Sequence, residues 1–445
     1  MKKSLLTLLI MASAVVSFAH SPRVPRVTPR NLIDDPKQMA LQFAEDELKR
    51  FPELWQYDWG SKLFFGYTQG VGGYAYLYLY AETGDKRFFD YAEQWCDSLI
   101  EDNGNIKLRA MEAYNLDLIR GGAVVCQVYR DIQANPDLVG GKEQANRKLA
   151  KYKKAMESQL IKQLKNQPRT CDGGYWHKLI YPHQMWLDGI YMASPFMAAY
   201  GATFHKPEWQ AEALQQVITC WRHTYDPRTG LLHHAWDEAA AQRWSDAEGH
   251  SPNFWGRSVG WYLMAMVDIL DYIPEGFQSP LNLGHKDTIM ISGRDTLIRY
   301  INTLVDALPQ YQRGGLWYQV MDQPDREGNW PEASVTTQFL YAIAKAINKG
   351  YLPAKYQSLC QTVFDGLQQT KFVHRDEDKN CPMLIRDDDG RLTLSQCCAV
   401  GGLGGRPYRD GSFNYYIHEK IRHDDGKATG PFFMGCYEMN KFVSH

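Results

Sequence analysis

GWYLMAMVDIL, from Gly260 to Leu270, carries apolar side chains round nearly the whole circumference of a helix. A helix on a protein surface shows a single apolar stripe, so a segment without a polar face is expected to be enclosed on every side. ASVTTQFLYAIAKAI, from Ala333 to Ile347, reads the same way. Between such segments lie helices of the ordinary amphipathic kind. Phe88, Ala92, Trp95, Cys96 and Leu99 recur at three and four residues, as do Tyr356, Leu359, Cys360, Val363, Phe364 and Leu367. Extended along the chain, the pattern predicts one-sided helices near 36–51, 86–101, 145–166, 207–225, 292–310 and 353–370. Enclosed helices are predicted near 66–82, 117–133, 185–200, 256–272, 332–349 and 429–443. Turn residues at Thr83-Gly84-Asp85, Tyr200-Gly201 and Lys349 to Pro353 each separate an enclosed helix from the next one-sided one. Strict alternation of the two kinds predicts an all-α fold, a six-hairpin (α/α)6 toroid or barrel with the enclosed helices as its inner ring. The structural alternative, an open solenoid, carries clearer repeats and polar caps than this sequence does. In a closed ring the inner helices all begin at one end, and Asp117, Asp188, Arg257 and Trp261 lie at or near such beginnings.

Composition sets the outer limits. The 445 residues are 44% hydrophobic and 22% charged, which supplies a large core and argues against disorder. A formal net charge of −2 gives no whole-molecule field for nucleic acid or an anionic membrane, so neither is an expected partner and an anionic ligand must be held locally. Lys2 and Lys3 precede an apolar run from Leu5 to Val16 and then Ser17-Phe18-Ala19. The run is shorter than a bilayer span, so residues 1–19 read as a signal peptide and the mature chain as secreted, periplasmic or extracellular. Residues 20–35 read as a disordered lead-in, and 36–445 as the helical catalytic domain. The nine cysteines are scattered, odd in number and without a CxxC pair. Most read as small buried hydrophobes rather than a disulfide framework, with room for one bridge.

Chemistry concentrates in two stretches. The first is TCDGGYWHKLIYPHQMWLDGIYMASPFMAAYG, from Thr170 to Gly201, where Asp188 stands just ahead of an apolar helix. An Asp in that place ordinarily caps the helix. Here Trp176, His177, Trp186 and Tyr191 crowd it, and apolar surroundings raise a carboxyl pKa towards usefulness as an acid. The second runs from Gly230 to Asp271 and gathers His234, Trp236, Trp255, Arg257 and Trp261. Aromatic faces stack on sugar rings and an Arg fork suits a carboxylate; the competing readings are core tryptophans and a surface ion pair. Gly401, Gly402, Gly404 and Gly405 lack the following Lys and Ser/Thr of a phosphate loop and read as a tight loop near the site. Asp387 to Asp389 reads as a solvated turn.

The strings HKLIYPHQMWLDGIYMASPFMAAYG, HAWDE, SPNFWGRSVGWYLMAMVDIL, LWYQVMDQPDREGNWPEAS and GGLGGRPYRDGSFNYYI occur in this order. Together, from about Pro36 to Met439, they resemble glycoside hydrolase family 105, the unsaturated rhamnogalacturonyl hydrolases. The resemblance implies the six-hairpin toroid, a site at one end, and no metal or organic cofactor. It implies that Asp188 of the WLDG motif is the general acid/base and that Asp117 of YNLD is a second carboxylate. It places His234, Trp255, Arg257 and Trp261 in substrate binding, with His177 and Lys178 as a basic pair lining the site. Ala235 stands where the family has Gly, which puts the local turn in question, and the stretch from Ile132 to Ala150 is longer than the family's.

The implied substrate is an oligosaccharide ending in a 4,5-unsaturated uronic acid, such as the unsaturated galacturonic acid of rhamnogalacturonan fragments from pectin. Its vinyl ether invites hydration: Asp188 protonates C4 and then takes a proton from the water attacking C5. On this expectation Asp117 keeps the proton on Asp188 by like-charge coupling, Arg257 and Lys178 offset the substrate carboxylate, and Trp255 and Trp261 flank its ring. The alternatives are an unsaturated glucuronyl hydrolase acting on glycosaminoglycan or ulvan fragments, a non-catalytic sugar-binding protein, and a glycosidase or epimerase acting on saturated sugars.

Overall fold

The computed structural model describes residues 33–442 apart from 286 and 378. The predicted signal peptide and most of the lead-in lie outside the described residues. Helices dominate: α1 (Pro36–Arg50), α2 (Tyr67–Thr83), α3 (Lys86–Leu99), α4 (Gly121–Ala134), α5 (Lys142–Ala155), α6 (Leu187–Thr203), α7 (Pro207–Thr224), α8 (Gly256–Leu270), α9 (Gly293–Ala307), α10 (Ala333–Asn348), α11 (Gln357–Gln369) and α12 (Gly426–Asn440). Each overlaps one of the helices predicted from periodicity. The two kinds separate in burial as expected. Every residue of α8 is buried, as is α10 from Ala333 to Ile347, whereas α3 buries one face through Phe88, Phe89, Ala92, Trp95, Cys96 and Leu99.

The enclosed helices neighbour one another in cyclic order. α2 packs on α4, α4 on α6, α6 on α8, α8 on α10, α10 on α12, and α12 returns to α2. The one-sided helices lie against them, with α3 on α2, α5 on α4, α7 on α6, α9 on α8, α11 on α10 and α1 on α12. The pairing of the first helix with the last is reinforced by polar contacts. Arg50 of α1 is largely buried, donates to Leu392 O (3.0 Å) and Thr393 Oγ1 (3.1 Å), and pairs with Glu47, Asp387 and Asp424. Asp387 therefore does more than sit in a solvated turn: it closes that turn by accepting from Arg391 N (2.9 Å) and anchors the first helix.

Three local departures bear on the site or its surroundings. The enclosed helix predicted from 117 begins only at Gly121, because Leu116–Ile119 form a 3-10 turn whose start is capped by Asn115 on Asp117 N (3.0 Å). The long Ile132 to Ala150 stretch is taken up by a 3-10 turn at Pro136–Val139 and an early start to α5, which continues through a π turn at Met156–Ile161. A short antiparallel ribbon, β1 (Gln184–Trp186) with β2 (Ala235–Asp237), joins the two chemistry-bearing stretches in the register Trp186 to Ala235. The nine cysteines are free, and the eight other than Cys171 are buried and serve the core as small hydrophobes. No described helix is long and apolar enough to cross a membrane.

Candidate active site

α4, α6 and α8 are consecutive in the cycle, and the predicted site residues gather where they begin. Asp188 occupies the first turn of α6, Arg257 the first turn of α8, and Asp117 the 3-10 turn leading into α4. The β1–β2 ribbon sets the central contact. Trp186 opposite Ala235 is followed by a hydrogen bond from Leu187 N to His234 O (3.0 Å), which carries Asp188 onto His234. His234 Nε2 lies 3.1 Å from Asp188 Oδ2. The α6 N-terminus has no side-chain cap, so Asp188 spends its carboxylate on His234 rather than on the helix end. Ala235 fits without strain: it is fully buried, is not among the residues with positive φ, and exchanges hydrogen bonds with Ser251 through its N–H to Oγ (3.1 Å) and its C=O from N (3.0 Å).

A second pair stands beside the first. Lys178 Nζ is 2.6 Å from Asp117 Oδ2, and His177 Nε2 is 3.5 Å from Asp117 Oδ1. His177 stacks on Trp186 (ring centroids 4.7 Å apart, 13° between planes), which stacks in turn on Tyr181 (4.8 Å, 13°). Gly189 makes this approach possible, since a Cβ there would stand 3.0 Å from His177 Nδ1 and from Leu116 Cδ1.

Accessibility divides the predicted residues into two rows. Asp188, Asp117 and Lys178 retain 15%, 18% and 21% of their side-chain surface and can meet a ligand. His177, His234, Arg257, Trp255 and Trp261 are buried behind them. This corrects three expectations. Trp261 is stacked on Tyr191 (4.8 Å, 12°) and Trp255 on Tyr416 (5.9 Å, 12°), with Gly401 pressed onto Trp255 so closely that a Cβ would fall 2.4 Å from its ring. Their faces are used inside the protein and do not flank a sugar. Arg257 lies 4.5 Å over the Trp255 ring and donates to the Cys398 carbonyl, so it reaches a ligand through its field and not through a surface fork.

The third correction concerns charge. Burial pushes the Asp188 carboxyl up, but the hydrogen bond to His234 and the nearby Arg257 guanidinium help to outweigh it, leaving Asp188 below the usual carboxylate range. His177 is held neutral by burial, so at neutral pH the lowering rests on the His234 hydrogen bond and the Arg257 charge. Asp117 contributes no stabilising like charge, because it is engaged by Lys178. Free Asp188 is thus ionised at pH 7, contrary to what its apolar neighbours in sequence suggest.

Sequence reading also passed over Tyr416. It belongs to the quoted string GSFNYYI, and its hydroxyl lies 2.6 Å from His234 Nδ1. The only available signal was its place in that string, since the contact spans 182 residues.

Burial lowers the His177 pKa from 6.5 to about 4, with the Asp117 charge only partly opposing it. The unfolded chain binds this proton near pH 6.5 while the folded chain resists it, so stability is lost as pH falls from 6.5 towards 4. The loss from this group is roughly 3 kcal/mol. Urea unfolding of wild type and His177→Gln at pH 7 and pH 5 should show the variant losing less stability on acidification. Equal losses would remove His177 from this role.

The family model for Glycosyl Hydrolase Family 88 matches residues 39–443 of the chain. A solved C. acetobutylicum glycoside hydrolase from family 105 is 33% identical, with a TM-score of 0.76 over 91% of this chain and 99% of that one. Protein Atu3128 of Agrobacterium fabrum is 32% identical over 56% of this chain and 97% of its own length. The unsaturated rhamnogalacturonyl hydrolase YesR of Bacillus subtilis is 27% identical over 47% of this chain and 55% of its own. With a family model spanning nearly all described residues and a close fold match at that identity, the chain belongs to glycosyl hydrolase family 88 and its family 105 relatives, the hydrolases of unsaturated uronic acid oligosaccharides.

Proposed function

We propose that residues 36–445 form one catalytic domain, a six-hairpin (α/α)6 toroid, that releases terminal 4,5-unsaturated galacturonic acid from rhamnogalacturonan oligosaccharides. One observation carries the chemistry: of the two accessible carboxylates among the described residues of the site, only Asp188 is not tied to a lysine, and His234 engages just its Oδ2. Asp188 rests on a histidine, while Asp117 is tied to Lys178 at 2.6 Å. Hydrolysis at C1 by retention or inversion calls for two carboxyl groups free to act. Hydration of a vinyl ether calls for one group that gives a proton and then takes one.

Asp188 must be protonated when the sugar is bound, although it is ionised when free. The substrate supplies the difference. A uronate carboxylate brought close, with water displaced, disfavours a second negative charge and raises the Asp188 pKa on binding. Asp188 then gives its proton to C4, leaving an oxocarbenium ion at C5 stabilised by the ring oxygen. Its carboxylate takes a proton from water as the water oxygen bonds to C5. The hemiketal collapses to a C5 ketone with cleavage of the C5–O5 bond. The hemiacetal left at C1 expels the aglycone as an alcohol, for a net consumption of one water.

The pectin-type substrate is supported by the ordered motifs and by similarity to the C. acetobutylicum and B. subtilis proteins. Export, read from residues 1–19, belongs to the same proposal and is tested by sequencing the N-terminus of the mature protein. Loss of the conjugated alkene's ultraviolet absorbance tests the activity directly. We expect kcat/KM on unsaturated galacturonyl-rhamnose to exceed that on unsaturated chondroitin disaccharide by about tenfold or more. The reverse order would assign the glycosaminoglycan-type alternative. Turnover of saturated galacturonides with none of the unsaturated ones would overturn the mechanism.

A further inference from the structure

The hydrogen bond between His234 and Asp188 has a fixed direction only if the imidazole is held in one tautomer, and the structure shows what holds it. Tyr416 is fully buried on the short helix Phe413–Ile417, with its hydroxyl 2.6 Å from His234 Nδ1. Its position is set from several sides. The ring stacks on Trp255. Gln319 donates to the Tyr416 carbonyl (2.9 Å) while accepting from Trp255 Nε1 (3.0 Å), so one amide ties the Tyr416 backbone to the Trp255 ring. Trp330 Nε1 donates to the next carbonyl, that of Ile417 (3.2 Å). Among the described residues the Tyr416 hydroxyl has no hydrogen-bond partner other than His234, and burial keeps the phenol protonated.

A neutral phenol with one acceptor in reach gives its proton to that acceptor. Nδ1 of His234 is then the acceptor nitrogen, and Nε2 carries the ring hydrogen towards Asp188. We propose that Tyr416 is a positioning residue that locks His234 in the Nε2–H tautomer, which binds Oδ2 of Asp188 and leaves Oδ1 as the oxygen that carries the catalytic proton. The lock favours the carboxylate form of Asp188, the form needed to accept a proton from water. It also keeps the proton-bearing oxygen the same in both halves of the reaction, because Oδ2 stays occupied. The inference rests on the reading of Asp188 as acid and base.

Two measurements test it. A neutron structure of the wild-type protein should show deuterium on the Tyr416 oxygen and on His234 Nε2, with none on Nδ1. Deuterium on Nδ1 would overturn the proposal, whatever the substrate proves to be. Tyr416→Phe keeps the ring and its stacking while removing the hydroxyl. With a carboxylate hydrogen bond weakened, the upper pH limb of kcat/KM should move up by about one unit. In the same variant kcat should fall about tenfold with KM changed less than about twofold. An unmoved limb with unchanged kcat would overturn the positioning role. If the variant does not fold, the neutron result on the wild type decides alone. If the wild type ignores every unsaturated uronide, the proposed function fails while the tautomer remains measurable.

Discussion

Asp188→Asn should lower turnover of an unsaturated uronide by roughly 10³-fold or more while leaving the protein folded. The size follows from the chemistry, since an amide can neither protonate C4 nor accept a proton from the attacking water, and both halves of the reaction fail together. The retained fold follows from the geometry. The α6 N-terminus does not depend on Asp188 for a cap, and an amide oxygen still accepts from His234 Nε2. The expected signature is an unchanged far-ultraviolet circular dichroism spectrum and melting temperature beside a collapsed kcat. Asp117→Asn should cost less, because its partner Lys178 survives to meet the substrate carboxylate. Turnover by Asp188→Asn within tenfold of wild type would transfer the proton chemistry to another group.

The alternation of enclosed and one-sided helices was legible in the sequence because the two kinds differ in how much of each helix is hidden. A helix enclosed on all sides needs apolar residues all round, and that requirement is visible in α8 and α10 without any knowledge of their neighbours. Asp117, Asp188 and Arg257 were legible as a group for a related reason, since Asp188 and Arg257 stand in the first turn of an enclosed helix and Asp117 in the turn that leads into one. What each side chain touches was not legible. Trp261 looks like a sugar platform until α6 brings Tyr191 against its face, and Arg257 looks free until the Cys398 carbonyl arrives from 141 residues away. The Asp188 pKa went the wrong way for the same cause. Its apolar neighbours lie within a dozen residues, whereas the histidine that reverses their effect is 46 residues on and is delivered by a three-residue strand too short to leave a period-two pattern.

Lys345→Met should destabilise the protein by about 3–5 kcal/mol, a fall in melting temperature of about 4–6 °C. Lys345 lies in the last turn of α10, buried, with Nζ 2.7 Å from Asp268 Oδ1 and 2.6 Å from Asp271 Oδ2. Burial disfavours its charge, but the two carboxylates outweigh that and hold its pKa well above normal. Asp268 is fully buried on α8 and, among the described residues, receives besides Lys345 only the Tyr341 hydroxyl at 2.7 Å, its Oδ2 having no partner there. Removing the ammonium therefore strands a carboxylate between two inner helices, which is costlier than losing the pair outright. The double variant Lys345→Met with Asp268→Asn should recover most of the loss, because Tyr341 can still donate to the amide oxygen. A single variant within about 1 kcal/mol of wild type would mean that water or backbone movement relieves Asp268. These residues lie at the C-terminal ends of α8 and α10, and Asp188 and Arg257 lie at the N-terminal ends of α6 and α8. Turnover per folded molecule should therefore stay at the wild-type value, so a kcat that fell with stability would show that the inner helices transmit strain along their length to the site.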